Sequence, residues 1–241
     1  MKHLFVKALS VAAVALLAVA GASGARADIV GSVHDLTTAT GTAFSTTGVT
    51  AEVCVFCHTP HEGSSAAQPL WNRAINVAGY TMYNAAFSST MEMTVAAQPQ
   101  GVSAACLSCH DGTLAFDQLI NGPTLASGAY DVDPAGASRA WAFTGANSLS
   151  GRTATDLTQV LTNDHPISVT YDDTADTGGP GGTSAFDTLA NVQASSNVRL
   201  FGASNNQVEC GSCHNPHETA NVPFLRSTNA ASALCTTCHN K

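Results

Sequence analysis

The sequence predicts a fold made mostly of coil and loops, with short helices at four repeated motifs and an apolar core that side chains alone do not provide. Gly, Ser, Thr, Asn and Ala dominate the chain, and aromatic residues make up only 6% of it. Segments with a clear helical or strand period are sparse. Folding costs conformational entropy, which the burial of apolar side chains normally offsets. This chain has little apolar side-chain surface to bury, so we expect bound apolar groups to complete the core.

The repeated motif is Cys-x-x-Cys-His, which occurs four times and uses all eight cysteines. It is the attachment signature of c-type haem, in which two thiols bind the vinyl groups and the adjoining histidine is the proximal ligand of the iron. A zinc knuckle, a redox dithiol or a structural disulfide would not require that histidine. We therefore predict four covalent haems (heme c), stacked as the core of the fold.

The predicted thioether residues are Cys54, Cys57, Cys106, Cys109, Cys210, Cys213, Cys235 and Cys238. The predicted proximal ligands of the haem irons are His58, His110, His214 and His239.

Residues 1–27 have the features of a secretory signal peptide. Lys2 and Lys7 flank an apolar run from residue 8 to about residue 20, and Ala25-Arg26-Ala27 is a small-x-small cleavage site. We expect an exported protein, extracellular or at the cell surface and alternatively periplasmic, with no transmembrane anchor. The mature chain, residues 28–241, would form a single tetrahaem domain.

The mature chain is acidic. Removal of residues 1–27 takes away three of the nine basic residues and none of the seventeen acidic ones, so the net charge changes from −8 to −11. Such a chain has no basic surface for nucleic acid, and its charge favours basic partners.

The mature chain contains two versions of a two-haem unit, about residues 28–125 and 160–241, with a haem-free insert between them. In each unit the first motif extends to Cys-x-x-Cys-His-x-Pro-His, an apolar segment ending in arginine follows, and a plain motif ends the unit. We also predict helices over residues 155–161 and 184–194, and Gly112 as a left-handed cap of the helix at the second motif.

Four further histidines are candidates for the distal iron ligands: His34, His61, His165 and His217. Their number equals the number of predicted haems, which indicates four low-spin haems, each with two histidine ligands.

His61 follows His58 by three residues, a reach of about 10 Å that does not take the chain around its own haem. We therefore expect His61 to bind the iron of His110 and, in the second unit, His217 to bind the iron of His239. The symmetry of the units then assigns His34 to the site at Cys54 and His165 to the site at Cys210.

This arrangement of motifs over most of the mature chain resembles the paired Cys-x-x-Cys-His multihaem cytochromes c. It is similar to the secreted tetrahaem cytochromes of metal-respiring bacteria, the OmcE-type filament-forming nanowire cytochromes. The resemblance implies a continuous haem chain, little regular secondary structure and head-to-tail self-association. It also implies that a neighbouring subunit can supply one distal histidine, for which His34, close to the mature N-terminus, is the candidate.

These features predict an electron carrier without catalytic residues, acting as a polymeric extracellular conduit. Its partners would be other redox proteins or extracellular electron acceptors. A monomeric periplasmic shuttle would use the same haem chemistry. A multihaem oxyanion reductase is less favoured, because it needs a haem with an open axial position and the spare histidines match the haems in number.

Overall fold

The computed structural model describes residues 28–37, 50–67, 69–116, 118–122, 148–151, 155–176, 178 and 184–240. The predicted signal peptide, residues 1–27, lies outside the described residues, as does most of the predicted insert between the units. The division of the chain into two units with an insert therefore stays a prediction.

Regular secondary structure is short and scattered. The helices are α1 (Gly101–His110), α2 (Leu189–Ala194) and α3 (Cys210–Cys213), with 3₁₀ turns at Ala230–Ser232 and Cys235–Thr237. Strands β1 (Val169–Thr170) and β2 (Gln207–Val208) pair antiparallel, with Val169 opposite Val208. The predicted coil-rich architecture is thus confirmed. No helix among the described residues has the length and apolar character needed to cross a bilayer.

The helices differ in part from those predicted. The predicted helix over residues 155–161 is wrong: Thr158 has a φ of +58°, and Leu161 donates its N–H to the Thr81 carbonyl at 2.9 Å. The helix predicted over residues 184–194 begins only at Leu189, where the Thr188 side chain caps it. Gly112 has a φ of +69° directly after the α1 cap, as predicted.

The apolar core of the described residues consists of three small clusters, and two of them lie against cysteines. One cluster packs on Cys57 and Cys109, and another packs on Cys213 and Cys238. The first contains Leu36, Phe56, Phe116 and Leu149; the second contains Met93, Val169, Tyr171, Val192, Val198, Leu200 and Leu234. Each of these two clusters therefore lies where two motifs of one unit meet.

Helices α1 and α3 pack against each other and so join the two units. The Cys210 N–H donates to the Ser103 hydroxyl at 2.9 Å. At Gly211 the helices are so close that an added Cβ would lie 2.7 Å from Val102 Cγ1 and 2.9 Å from Phe201 Cζ. The second and third Cys-x-x-Cys-His motifs are therefore direct neighbours.

We expect Gly211→Ala to destabilise the haem-loaded protein by about 1–3 kcal/mol, because the added methyl group overpacks the contact between α1 and α3. Thermal unfolding measures the change. Thr236→Ala, at the same position of the fourth motif and exposed, is the matched control and should change stability little. Equal stability of Gly211→Ala and the unaltered protein would contradict the close helix contact.

Candidate haem-binding sites

Each Cys-x-x-Cys-His motif forms about one helical turn. The histidine N–H donates to the carbonyl of the first cysteine in the first, third and fourth motifs, at 2.8, 3.1 and 3.0 Å, and the second motif lies inside α1. This turn brings the cysteines and the histidine to one side of the backbone. The first motif is a hydrogen-bonded turn and not the predicted helix. Its Cys57 carbonyl accepts from the Asn72 N–H at 2.9 Å.

Backbone carbonyls orient three of the four proximal imidazoles. The Nδ1 atoms of His58, His110 and His214 donate to carbonyl oxygens at 3.1, 2.9 and 2.9 Å. These oxygens belong to Pro69, Thr155 and Pro223. A carbonyl only accepts, so Nδ1 carries the proton and Nε2 keeps the lone pair that binds a metal.

The segments that follow the first and third motifs make matching contacts. Asn72 N–H donates to the Cys57 carbonyl as Arg226 N–H donates to the Cys213 carbonyl, at 2.9 and 2.8 Å. The residues after Pro69 and Pro223 both have positive φ, +51° and +59°. The structure therefore aligns Arg226 with Asn72, one residue before Arg73, so the arginines that end the two segments are not equivalent.

In the described part of the chain, three pairs of histidine rings face one another. Ring centres are 6.2 Å apart for His34 and His110, and 5.9 Å apart for His58 and His217. The third pair is His165 and His239, at 6.4 Å. Each pair combines one predicted proximal histidine with one predicted distal histidine.

These separations fit two imidazoles bound to one iron. Two metal–nitrogen bonds of about 2 Å, with about 1 Å from each nitrogen to its ring centre, give about 6 Å between ring centres. In addition, His34 Nδ1 is buried with no hydrogen-bond partner. The described residues thus fit haem at the first, second and fourth motifs, with two histidines for each iron.

The pairs are not those that we predicted. We expected His217 near His239 and His165 near His214, but His217 lies beside His58 in the other unit, and His165 lies beside His239. The packing of α1 against α3 accounts for His217, because it brings the segment after the third motif to the first unit.

The expectations for His34 also need correction. This residue lies beside His110 and not at the first site, and its ring packs 4.5 Å from the Phe224 ring of the same chain. The Asp28 N–H donates to the His217 carbonyl at 2.9 Å, so the N-terminal segment is bound to its own subunit. Within one chain His34 therefore lies at the second site, and a role for His34 between subunits stays a prediction.

His61 and His214 are left outside the three pairs. Both are exposed, and the Nδ1 of His214 is already oriented by Pro223. We predicted that His61 would bind the iron of His110, but His34 takes that place. The third site thus has a proximal histidine and no histidine facing it among the described residues.

All eight thiols are free, and contacts between them link the motifs in chain order. Cys57 lies near Cys109, and Cys213 lies near Cys235 and Cys238. Cys106 is hydrogen-bonded to Cys210, and this bond and burial raise the pKa of Cys106. Haems attached at these positions would form a continuous series from the first motif to the fourth.

Burial determines the protonation of several ligand groups. It lowers the pKa of His34 to about 4, with the charges of His110 and His217 adding to the effect. The imidazole is therefore neutral at neutral pH, which is the form that binds a metal. Burial also raises the pKa of Cys57 to about 12 and that of Cys238 to about 11, so these thiols stay protonated and react poorly once the chain has folded.

Some functional groups could not be recognised from the sequence. The backbone carbonyls of Pro69, Pro223 and Thr155 cannot be recognised from the identity of a side chain. For the first two, the available signal was the proline that follows each Cys-x-x-Cys-His-x-Pro-His motif. Arg73 is fully buried and donates to the carbonyl of Ser108, inside the second motif, at 3.2 Å.

Residues 203–241 match the family described as the doubled CXXCH motif. The match spans the third and fourth motifs and supports a multihaem c-type cytochrome-like protein that binds haem covalently and functions in electron transfer. A comparison with curated proteins gives no significant match.

The histidine pairing predicts how many haems each double substitution disturbs. In the haem-loaded protein, His58→Ala combined with His217→Ala should alter one haem, because both side chains face the same iron. His217→Ala combined with His239→Ala should alter two. Electron paramagnetic resonance (EPR) of the oxidised protein counts the altered haems from the intensity of their high-spin signals. Two altered haems in the first variant and one in the second would restore the pairing that the sequence symmetry suggests.

Proposed function

We propose that this protein is an electron carrier, not an enzyme, that conducts through four covalent c-type haems with two histidine ligands each. The observation that carries the proposal is the set of three histidine pairs with ring centres 5.9–6.4 Å apart. Each pair combines a motif histidine with one of the spare histidines, as two axial ligands of one iron would.

In this proposal the chain positions the haems and excludes water from them. Bound c-type haem would supply a one-electron iron couple. The cysteines hold the haems in series, the carbonyls of Pro69, Thr155 and Pro223 fix the proximal imidazoles, and the apolar clusters at the cysteines keep solvent away. Rigid ligands limit the structural change between the oxidised and reduced states, which favours fast exchange.

We further propose that subunits assemble head to tail, with His61 of one copy as the distal ligand at the third site of the next. The support is the pair of exposed groups, His61 and His214, that the histidine pairs within the chain leave over. A contact between two different surfaces of identical subunits generates an open filament unless its rotation closes a ring. The haems of successive subunits would then form one conduit.

The proposed setting is outside the cytoplasm, either extracellular or periplasmic. C-type haem is attached in that compartment, and the sequence of residues 1–27 is typical of an export signal. Redox proteins or extracellular electron acceptors are the proposed partners, and the acidic mature chain favours those that present a basic surface.

Two other functions follow if the third site does not receive its distal ligand from another copy of the chain. In a monomeric shuttle, His61 of the same chain would move to the third haem when that haem is bound. In an oxyanion reductase, the position opposite His214 would stay open for substrate. The exposure of His214 and the lack of a facing imidazole in the described residues are the observations that keep these alternatives in view.

His61→Ala should abolish the polymers and convert one of the four haems to high spin, because the third site loses its distal ligand. His34→Ala is the matched control: it should also yield one high-spin haem, but polymers should persist, since His34 lies within its own chain. EPR counts the haems, and electron microscopy with sedimentation detects the polymers.

The outcomes separate the three functions. Unaltered protein that is monomeric at high concentration with four low-spin haems would support the shuttle and contradict the polymer. One high-spin haem in the unaltered protein, unaffected by His61→Ala, would support the reductase. Loss of polymers with His34→Ala but not with His61→Ala would restore His34 as the ligand shared between subunits.

A further inference from the structure

Arg73 is a buried cation, and its hydrogen-bond partners do not neutralise its charge. Its side chain is 0% exposed, and its guanidinium donates to the carbonyls of Phe116, Ala115 and Ser108 at 2.9, 2.7 and 3.2 Å. The Nε atom is buried with no hydrogen-bond partner. Carbonyl groups have no net charge, so these bonds hold the guanidinium in position without neutralising it.

This charge lies between the first and second attachment sites. The preceding residue, Asn72, donates its backbone N–H to the Cys57 carbonyl, and Ser108 is inside the second motif. At the second site, the carboxylate of Asp111 is also buried, next to His110, and provides an opposing negative charge. The effect of Arg73 is therefore expected mainly at the first site.

The second unit has no matching buried charge at its corresponding position. Arg226 aligns with Asn72 in backbone hydrogen bonding and donates its Nε to the Gly211 carbonyl at 2.6 Å. It is only half-buried, and the charges of Arg199 and Glu218, which act in opposite directions, lie near it. The corresponding parts of the two units thus differ in their electrostatics.

We propose that Arg73 raises the reduction potential of the haem attached at Cys54 and Cys57, making it the highest-potential haem of the four. An oxidised haem has one more positive charge than a reduced one, so a fixed buried cation disfavours oxidation. Electrons that enter the haems of one subunit would then settle at the first haem. The inference rests on the proposed haem binding and adds a gradient of reduction potential along the haems.

The test is potentiometric titration of the haem-loaded protein, followed by visible and EPR spectra. At an effective dielectric constant near 20, removal of a charge about 12 Å away changes such an equilibrium by about tenfold. For a one-electron couple this is about 59 mV. Arg73→Gln should lower the highest of the four potentials by about this amount, and Arg73→Lys, which keeps the charge, should restore most of it.

Arg226→Gln is the matched control and should leave the highest potential unchanged. Equal shifts in Arg73→Gln and Arg73→Lys, or no shift in either, would overturn the proposal. If Arg73→Gln does not fold, the unaltered protein provides the test of the proposal. Its highest-potential haem must then be the one that becomes high-spin in His217→Ala. A haem count on each purified variant separates this result from the proposed function, because fewer than four haems would refute tetrahaem binding itself.

Discussion

The contact between α1 and α3 determines how the chain can bring its histidines together. Cys210 donates to Ser103 across this contact, and Gly211 leaves just enough room for Val102 and Phe201. Once these helices touch, the segment after α3 lies over the first unit and brings His217 to His58. The units are therefore interleaved, although the sequence reads as two repeats in series.

Backbone groups, more than side chains, fix the ligands within each unit. The segments after Pro69 and Pro223 differ in side chains, yet they make the same bonds to the preceding motif and leave a carbonyl for the imidazole. A carbonyl keeps its place when the neighbouring side chain changes. This explains how a chain poor in large apolar residues can still hold its imidazoles in defined orientations.

The features that the sequence predicted correctly depend on neighbouring residues. The helices at the second and third motifs, the coil-rich fold and the left-handed Gly112 follow from local chemistry. The helix expected at residues 155–161 failed because this segment pairs with the strand-like residues near Thr81 instead. A local sequence pattern does not indicate such a long-range contact.

The pairing of histidines failed for the same reason. We predicted every pair inside one unit; His34–His110 and His165–His239 do lie inside one, but His217 crosses to His58. The interface between the units involves small residues, Ser103 and Gly211, that are inconspicuous in the sequence. The alignment of Arg226 with Asn72, instead of with Arg73, is likewise visible only from hydrogen bonds. The burial of Arg73 was therefore not predictable from the repeat.

The exchange between the two units is one-sided, since His217 reaches the first unit while His61 has no such place in the second. In an assembly that completes the third site with His61, every subunit has a donor end and an acceptor end. The two tips of the assembly then differ chemically: one presents an uncoordinated imidazole, and the other a haem that lacks a ligand. Growth at the tips would be unequal, and an added small ligand for haem would block elongation at one tip only.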